Sequence, residues 1–474
     1  MIKPSKTPIK LFIMNKICLF IFSILPLFCF SQFESNAVGG EYKFNPDNIQ
    51  CITKKAKAQI KIELQKNIKN LIQQGKISQQ KNSIVAPPSF IWPVKAKTFS
   101  EFNDVWAISN YVDHDNNSPD KLEDYNCGTR TYDTSSGYNH QGTDIYTWPF
   151  TWYQFQNNSA EVIAAAPGII TLKHDGEFDM SCDFNNSQWN AIYIKHSDGS
   201  IAWYGHLKKG SLTSKNVGNS VEEGEFLGVV GSSGNSTGPH LHFEVYDSNN
   251  NLVDPFKGNC SSGTSLWKEQ PNYREPNINA IFTHNIAPSF NQDCPEVEAT
   301  NISEQFLPNT AIHTASYYKD QLSGTTASYK LYKPNGTVHA SWTFDFVDTF
   351  GSSYWYWTWN DLSDLGTWNF ESSYQGQTVI KTFKIVTALG IENQELAKIS
   401  IAPNPFENTL KLIGFDLNKD NYNMTIFNNL GQKVVEKNTF SDELDLQFLA
   451  KGMYFLKITD TTDSSYKTFT LLKK

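Results

Sequence analysis

At 474 residues the chain is long enough for two to four domains, and its 14% aromatic content suits β-rich domains better than helical bundles. A net charge of −8 with no large basic block argues against nucleic acid as a partner.

Residues 1–31 read as a secretory leader. Lys3, Lys6, Lys10 and Lys16 precede "ICLFIFSILPLFCF" (Ile17 to Phe30), an apolar run too short to span a bilayer. Cys29 and Ser31 fit cleavage before Gln32; a lipoprotein reading at Cys29 is disfavoured by bulky Phe28, and Met14 is an alternative start. The expected mature protein is exported and carries no transmembrane segment. Export permits disulfides. Five cysteines follow the leader (Cys51, Cys127, Cys182, Cys260 and Cys294), an odd number that leaves at least one without a partner in the chain. The absence of a CxxC spacing argues against a cysteine-based zinc site.

Residues 32–90 read as a helical N-terminal extension. Ile60, Leu64, Ile68 and Leu71 recur at helical spacing and predict an amphipathic helix over Gln59 to Gln74. Its lysines suit contact with a membrane or an acidic polymer; a pro-segment or packing helix is the simpler reading. "VAPPSFIWPV" then forms an extended linker.

From 91 to 288 short strands alternate with turns. "EVIAAAPGIITLKHD" gives two strands broken at Pro167-Gly168, and "NAIYIKHSDGSIAWYGHL" is a hairpin turning at "SDG". The whole predicts an antiparallel-sheet domain with a core over 107–256. Residues 294–388 form a second β region, expected to be an immunoglobulin-like sandwich. Its aromatic run "SSYWYWTWNDL" fits either core packing or a sugar-stacking platform. Residues 396–474 predict a small all-β module with "NNLGQ" as a hairpin turn. The expected fold class is mainly β, with antiparallel sheets, β-sandwich domains and one short N-terminal helix.

Three stretches of the 91–288 domain carry chemistry: "GYNHQGTDIY", "AWYGHLKKG" and "GPHLHFEV". His240 and His242 leave the same face of a strand. His140 and Asp144 would sit ~13 Å apart along a straight strand, so a turn or bulge permitted by Gly142 is needed to bring them together. Three protein ligands and an open fourth position describe a catalytic zinc site. Two imidazoles with a carboxylate suit zinc better than calcium or magnesium. The candidate trio is His140, Asp144 and one of His240 or His242, leaving the other and His206 for chemistry. His174, His196 and His284 lack such context and read as structural, and Cys127 reads as a half-cystine.

At these residues the chain resembles the lysostaphin-type zinc endopeptidases (peptidase family M23), which share an HxxxD motif, a later lone histidine and an HxH motif after a "GxSTGPHLHFE"-like loop. The resemblance covers roughly Ala107 to Phe256. It implies that His140, Asp144 and His242 bind one Zn2+ per chain and that His206 and His240 are the catalytic histidines. Tyr138 and Tyr204 stand as candidates for family tyrosines. The implied function is secreted hydrolysis of peptide cross-links in bacterial peptidoglycan, through a metal-activated water assisted by two histidines. The alternatives are the same chemistry on extracellular glycine-rich proteins, or a non-enzymatic cell-wall-binding module.

The C-terminal residues also resemble the sorting domain of the type-nine secretion system. The landmarks are "PNP" at Pro403 to Pro405, "IFNNLGQKV", "DLQFLAKGMYFLKI" and the basic end "KTFTLLKK". This implies the secretion machinery as a partner, and a protein that is secreted or attached to the outer cell surface.

Overall fold

The computed structural model describes residues 36–44, 49–78, 87–98, 100–290, 298–387, 396, 399–414, 422–429, 431–437, 443–461 and 466–474. The expected leader and Cys294 lie outside them. No helix among the described residues is long and apolar enough to cross a membrane. The fold is mainly β, as the sequence predicts, with antiparallel pairing dominant.

A large antiparallel sheet forms the centre. Its strands run, edge to edge, Ser220–Val221, Gly168–His174, Ala191–Lys195, Ile201–Gly205, His240–Tyr246, Thr143–Thr147 and Trp106–Asn110, with Leu252–Val253 also pairing on His240–Tyr246. A three-stranded sheet of Phe226–Val229, Ala160–Ile163 and Val94–Ala96 shares its core, in which Val94, Val162, Leu227, Tyr204, Leu241 and Phe243 are buried. His240–Tyr246 is buried along its whole length, because it is central and covered on both faces. A disulfide joins Cys127 to Cys260 across 133 positions, in keeping with the half-cystine reading of Cys127.

The next domain is a sandwich of two sheets. One runs Gln305–Phe306, Gln377–Ile385, Gly366–Tyr374, Thr325–Tyr332 and Val338–Phe346; the other runs Val38–Tyr42, Phe350–Trp359, Ile312–Gln321 and Asn277–His284. Its boundaries differ from the expected 294–388. Asn277–His284, assigned from sequence to the preceding domain, pairs with Ile312–Gln321, and Val38–Tyr42 arrives from the N-terminal extension. Both pairings are non-local, so no neighbouring turn marks them. The aromatic run packs on both sides of its strand: Trp357 and Trp359 fill the sandwich core, while Tyr354 and Tyr356 lie against the core of the central sheet.

The N-terminal helix spans Lys54–Gln73, five residues earlier than Gln59. Thr53 caps it, its Oγ1 accepting from the Ala56 amide at 3.1 Å. The apolar spacing marks only the buried stripe of Ile60, Leu64 and Leu71, so the polar first turn escaped it. The C-terminal residues form two small antiparallel sheets around a core that includes Phe406, Leu410, Met424, Ile426, Leu456 and Leu471.

Candidate metal centre

Strand register assembles the centre. Across the antiparallel pair of His240–Tyr246 and Thr143–Thr147, His242 is the direct partner of Asp144 and His240 of Tyr146. On its other side His242 faces Gly205, the last residue of the next strand, and His206 follows at once. His206 has φ 62°, a left-handed conformation uncommon for a side chain of its size, which turns the chain out of the strand. His140 precedes the Thr143–Thr147 strand, and its Nε2 lies 3.0 Å from Asp144 Oδ2. The HxxxD pair therefore meets as expected, but Gly142 contributes space. A Cβ there would stand 2.7 Å from His242 Cε1 and Nε2 and 2.9 Å from the Phe243 carbonyl oxygen.

Surrounding acceptors fix the imidazole tautomers. His140 Nδ1 donates to the Tyr111 carbonyl at 2.7 Å, leaving Nε2 as its inward lone pair. His242 Nε2 lies 2.9 Å from Glu244 Oε1, an acceptor for its proton, and Nδ1 points inward, 2.7 Å from Asp144 Oδ1. His140 Nε2 and His242 Nδ1 are 3.4 Å apart. When both imidazoles are neutral, three acceptor atoms converge on one buried point, an arrangement that a cation satisfies. Ligand atoms around a tetrahedral zinc at 2.0–2.1 Å lie ~3.3 Å from one another, close to the spacing seen. The donor set fits zinc.

Glu244 is the outer partner that sets His242. It is fully buried and accepts from His242, Tyr246 and Lys57, whose Nζ is 3.0 Å from Oε2. Burial pushes its carboxyl up, but Lys57 and His242 outweigh that and hold it at about 2. Burial likewise opposes the charge on Asp144, yet His140, His240 and His242 keep it well below the usual carboxylate range. With no cation bound, Asp144 overcomes the cost of burial and carries His140 up to about 9 and His242 well above its usual value, so each then holds a second proton that a bound cation would displace. Asn110 Nδ2 donates to Asp144 Oδ2 at 3.3 Å.

His206 and His240 stand beside this point, with ring centroids 4.3 Å apart. His206 Nδ1 donates to the Ser233 carbonyl at 2.6 Å, and His240 Nδ1 to the Gly238 carbonyl at 2.9 Å. Both Nε2 atoms therefore turn away from the backbone; that of His240 lies 3.6 Å from Asp144 Oδ1. His206 Nε2 is buried with no hydrogen-bond partner. Burial, then the neighbouring His240, lowers the His206 pKa and favours its neutral, proton-accepting form.

Other candidates lie elsewhere. Tyr204 is a core residue whose hydroxyl accepts from the Ala165 amide at 2.9 Å. Tyr138 is buried in the cluster that holds Tyr132, Trp189 and Cys51. His174 pairs with Glu63 at 2.9 Å, His196 bonds the Pro167 carbonyl and His284 bonds Thr300 and Tyr317, all structural roles. Sequence reading missed Glu244, although its place two residues after His242 on the same strand face is a usable signal. It also missed Cys51, whose Sγ groups with the donor atoms of His140, Asp144 and His242, every pair within 4.8 Å. No local motif marks that cysteine.

Residues 139–255 match Peptidase family M23, and residues 400–471 match the Secretion system C-terminal sorting domain. The chain is similar to the DD-carboxypeptidase/endopeptidase Mpg of Neisseria meningitidis serogroup B, 42% identical over 84 residues that make up 18% of this chain and 16% of that protein. It is also similar to the Peptidoglycan DD-endopeptidase ShyC of Vibrio cholerae serotype O1, 37% identical over 96 residues, 20% of this chain and 21% of that one. The chain thus spans about a fifth or less of the length of these relatives. Among solved structures, the catalytic domain of lysostaphin from Staphylococcus simulans is 27% identical, covering 26% of this chain and 83% of that chain with a TM-score of 0.20. The chain carries a peptidase family M23 domain and an export tail, which indicates a protein secreted or held at the outer cell surface.

Proposed function

We propose that this chain is a secreted zinc-dependent endopeptidase that hydrolyses the peptide cross-links of bacterial peptidoglycan. The observation that carries the reading is the convergence of His140 Nε2, Asp144 and His242 Nδ1 on one buried point, with His206 and His240 beside it. Those three residues would hold the zinc, which when bound supplies Lewis acidity toward a peptide carbonyl. Neutral His206, its Nδ1 proton committed to Ser233, presents Nε2 as a base for the proton of the attacking water. His240, oriented by Gly238 and Ser236, presents a second Nε2 on the same side. Once protonated, either nitrogen becomes a donor able to steady the developing oxyanion and return the proton to the leaving amine. Peptidoglycan as substrate is supported by the names of the relatives and by the export tail.

The test is zinc content together with peptide release from purified sacculi, for wild type, His242→Ala and His240→Ala. Residues of the N-terminal extension lie across the centre, so each protein is assayed intact and after limited proteolysis. His242→Ala should lose both zinc and activity, and His240→Ala should keep zinc and lose activity. Zinc retention by His242→Ala, or zinc-loaded wild type that leaves sacculi whole in both forms, would refute the reading.

A further inference from the structure

We propose that Cys51, carried by the N-terminal extension, is a fourth protein ligand to the metal and closes the centre in the intact chain. The inference rests on the zinc reading above and concerns how that same centre is held shut.

Cys51 stands between the two halves of the centre. Its Sγ lies within 4.8 Å of the donor atoms of His140, Asp144 and His242, and it forms a second such group with His206 and His240. On the zinc reading, the side bordered by His206 and His240 is the one an attacking water needs, and the thiol shares it. A buried free cysteine is ordinarily a small hydrophobe packed among apolar atoms. Cys51 does belong to a buried cluster with Ile52, Tyr132 and Trp189, but its sulfur also shares a site with four imidazoles, a carboxylate and a phenol. Tyr132 donates its hydroxyl proton to the Ile49 carbonyl at 2.9 Å, so its oxygen is free to accept from the thiol at 3.0 Å. His206 Nε2, buried and without a hydrogen-bond partner, belongs to the same group as the thiol.

The extension is anchored on both sides of Cys51. Upstream, Val38–Tyr42 adds a strand to the sandwich, from Val38 opposite Tyr356 to Tyr42 opposite Ser352. Phe44 stacks on Tyr146 with centroids 4.6 Å apart and meets the His240 ring edge-on at 5.5 Å. Downstream, the Lys54–Gln73 helix lies over the sheet through Lys57 to Glu244 and Gln141, Glu63 to His174, and Asn67 to the Thr171 carbonyl. Anchors on both sides of Cys51 thus hold it where its sulfur is within 4.8 Å of the donor atoms of His140, Asp144 and His242. Two imidazoles, one carboxylate and one thiolate complete a tetrahedral shell. Such a shell describes a closed site, whereas a catalytic one keeps a position open. Attachment replaces the Sγ–H bond by a sulfur–metal bond and releases the proton to solvent. Opening reverses both changes, either by lifting the extension or by cutting it away.

The experiment uses the full exported chain as wild type, Cys51→Ser and Cys51→Ala. Zinc X-ray absorption of the wild type should show one sulfur at about 2.3 Å beside nitrogen and oxygen ligands, and that sulfur should vanish in both variants while zinc is retained. Peptide release from sacculi should rise by about 10–100-fold in the variants, the factor by which a closed form must outnumber an open one to matter. Alkylation of the wild-type thiol by iodoacetamide should be slow with zinc bound and fast after chelation, a readout that needs no variant to fold. A wild-type shell of nitrogen and oxygen alone, or equal alkylation with and without zinc, overturns the proposal and leaves the zinc reading intact. Wild type free of zinc overturns both.

Discussion

His242 and Asp144 are direct cross-strand partners, and their Nδ1 and Oδ1 atoms lie 2.7 Å apart. With no cation between them the contact is a hydrogen bond from His242 to the carboxylate; with a cation bound it would join two acceptors, the other nitrogen of His242 giving its proton to Glu244. What the strand pairing supplies is register; what would suit the pair to a metal is the carboxylate behind the imidazole, which accepts the proton of the outward nitrogen.

Glu244 should therefore matter to metal affinity although it cannot touch the metal. Glu244→Ala removes the acceptor for His242 Nε2 and leaves Lys57 without its buried partner. Outer partners of this kind are worth roughly 10–100-fold in metal affinity, and a loss of that size is expected in competition with a chelator. Glu244→Gln keeps an acceptor oxygen and should lose less. Equal affinity in wild type and Glu244→Ala would show that His242 is oriented by its own packing against Trp189 and His140.

Gly142→Ala tests the packing of the same ring from the opposite side. The added Cβ would meet His242 at 2.7 Å and the Phe243 carbonyl at 2.9 Å, and neither can retreat. The ring is tied at both nitrogens, and Phe243 is in the central strand. Overpacking of this order costs about 1–3 kcal/mol, so a lower melting temperature together with weaker zinc binding is expected. A stability loss with unchanged zinc affinity would mean that the backbone yields and the ring does not.

The sequence carries much of this centre in readable form. Period two in "HLHFEV" places His240, His242 and Glu244 on one face, and the lone His206 follows a strand that reads as one half of a hairpin. The choice between His240 and His242 as ligand is not written in that period. It depends on which nitrogen each ring turns inward, and hence on Gly238, Ser236 and Glu244. Cys51 is invisible for a different reason: it lies 81 positions from Tyr132 and reaches the centre only because both flanks of the extension find distant partners. The same non-local pairing hid the Val38–Tyr42 strand from a reading built on local turns. The helix start at Lys54 was missed for a local reason: its first turn is polar, so the apolar spacing that marks the buried stripe does not reach back to the Thr53 cap.

A buried histidine and a half-buried glutamate next to the sandwich predict a pH response that is masked in the wild type. Burial lowers His284 to about 4, even though its Nδ1 donates to the Thr300 carbonyl. An unfolded histidine titrates near 6.5, so as pH falls from 6.5 to 4 only the unfolded chain takes up this proton, and stability is lost with acid. Glu298 has the opposite sign. Burial raises it to about 7 although the Tyr153 amide donates to it at 2.6 Å. Between about 4.5 and 7 the unfolded carboxyl ionises first, and stability is lost as pH rises. Each shift corresponds to about 3 kcal/mol, and between pH 4.5 and 6.5 the two nearly cancel. His284→Gln should uncover the glutamate, giving a urea midpoint that falls from pH 4.5 to 7. Glu298→Gln should uncover the histidine, giving a midpoint that falls from pH 6.5 to 4. Parallel curves for both variants and wild type would show that neither group keeps its neutral form over this range in the folded chain.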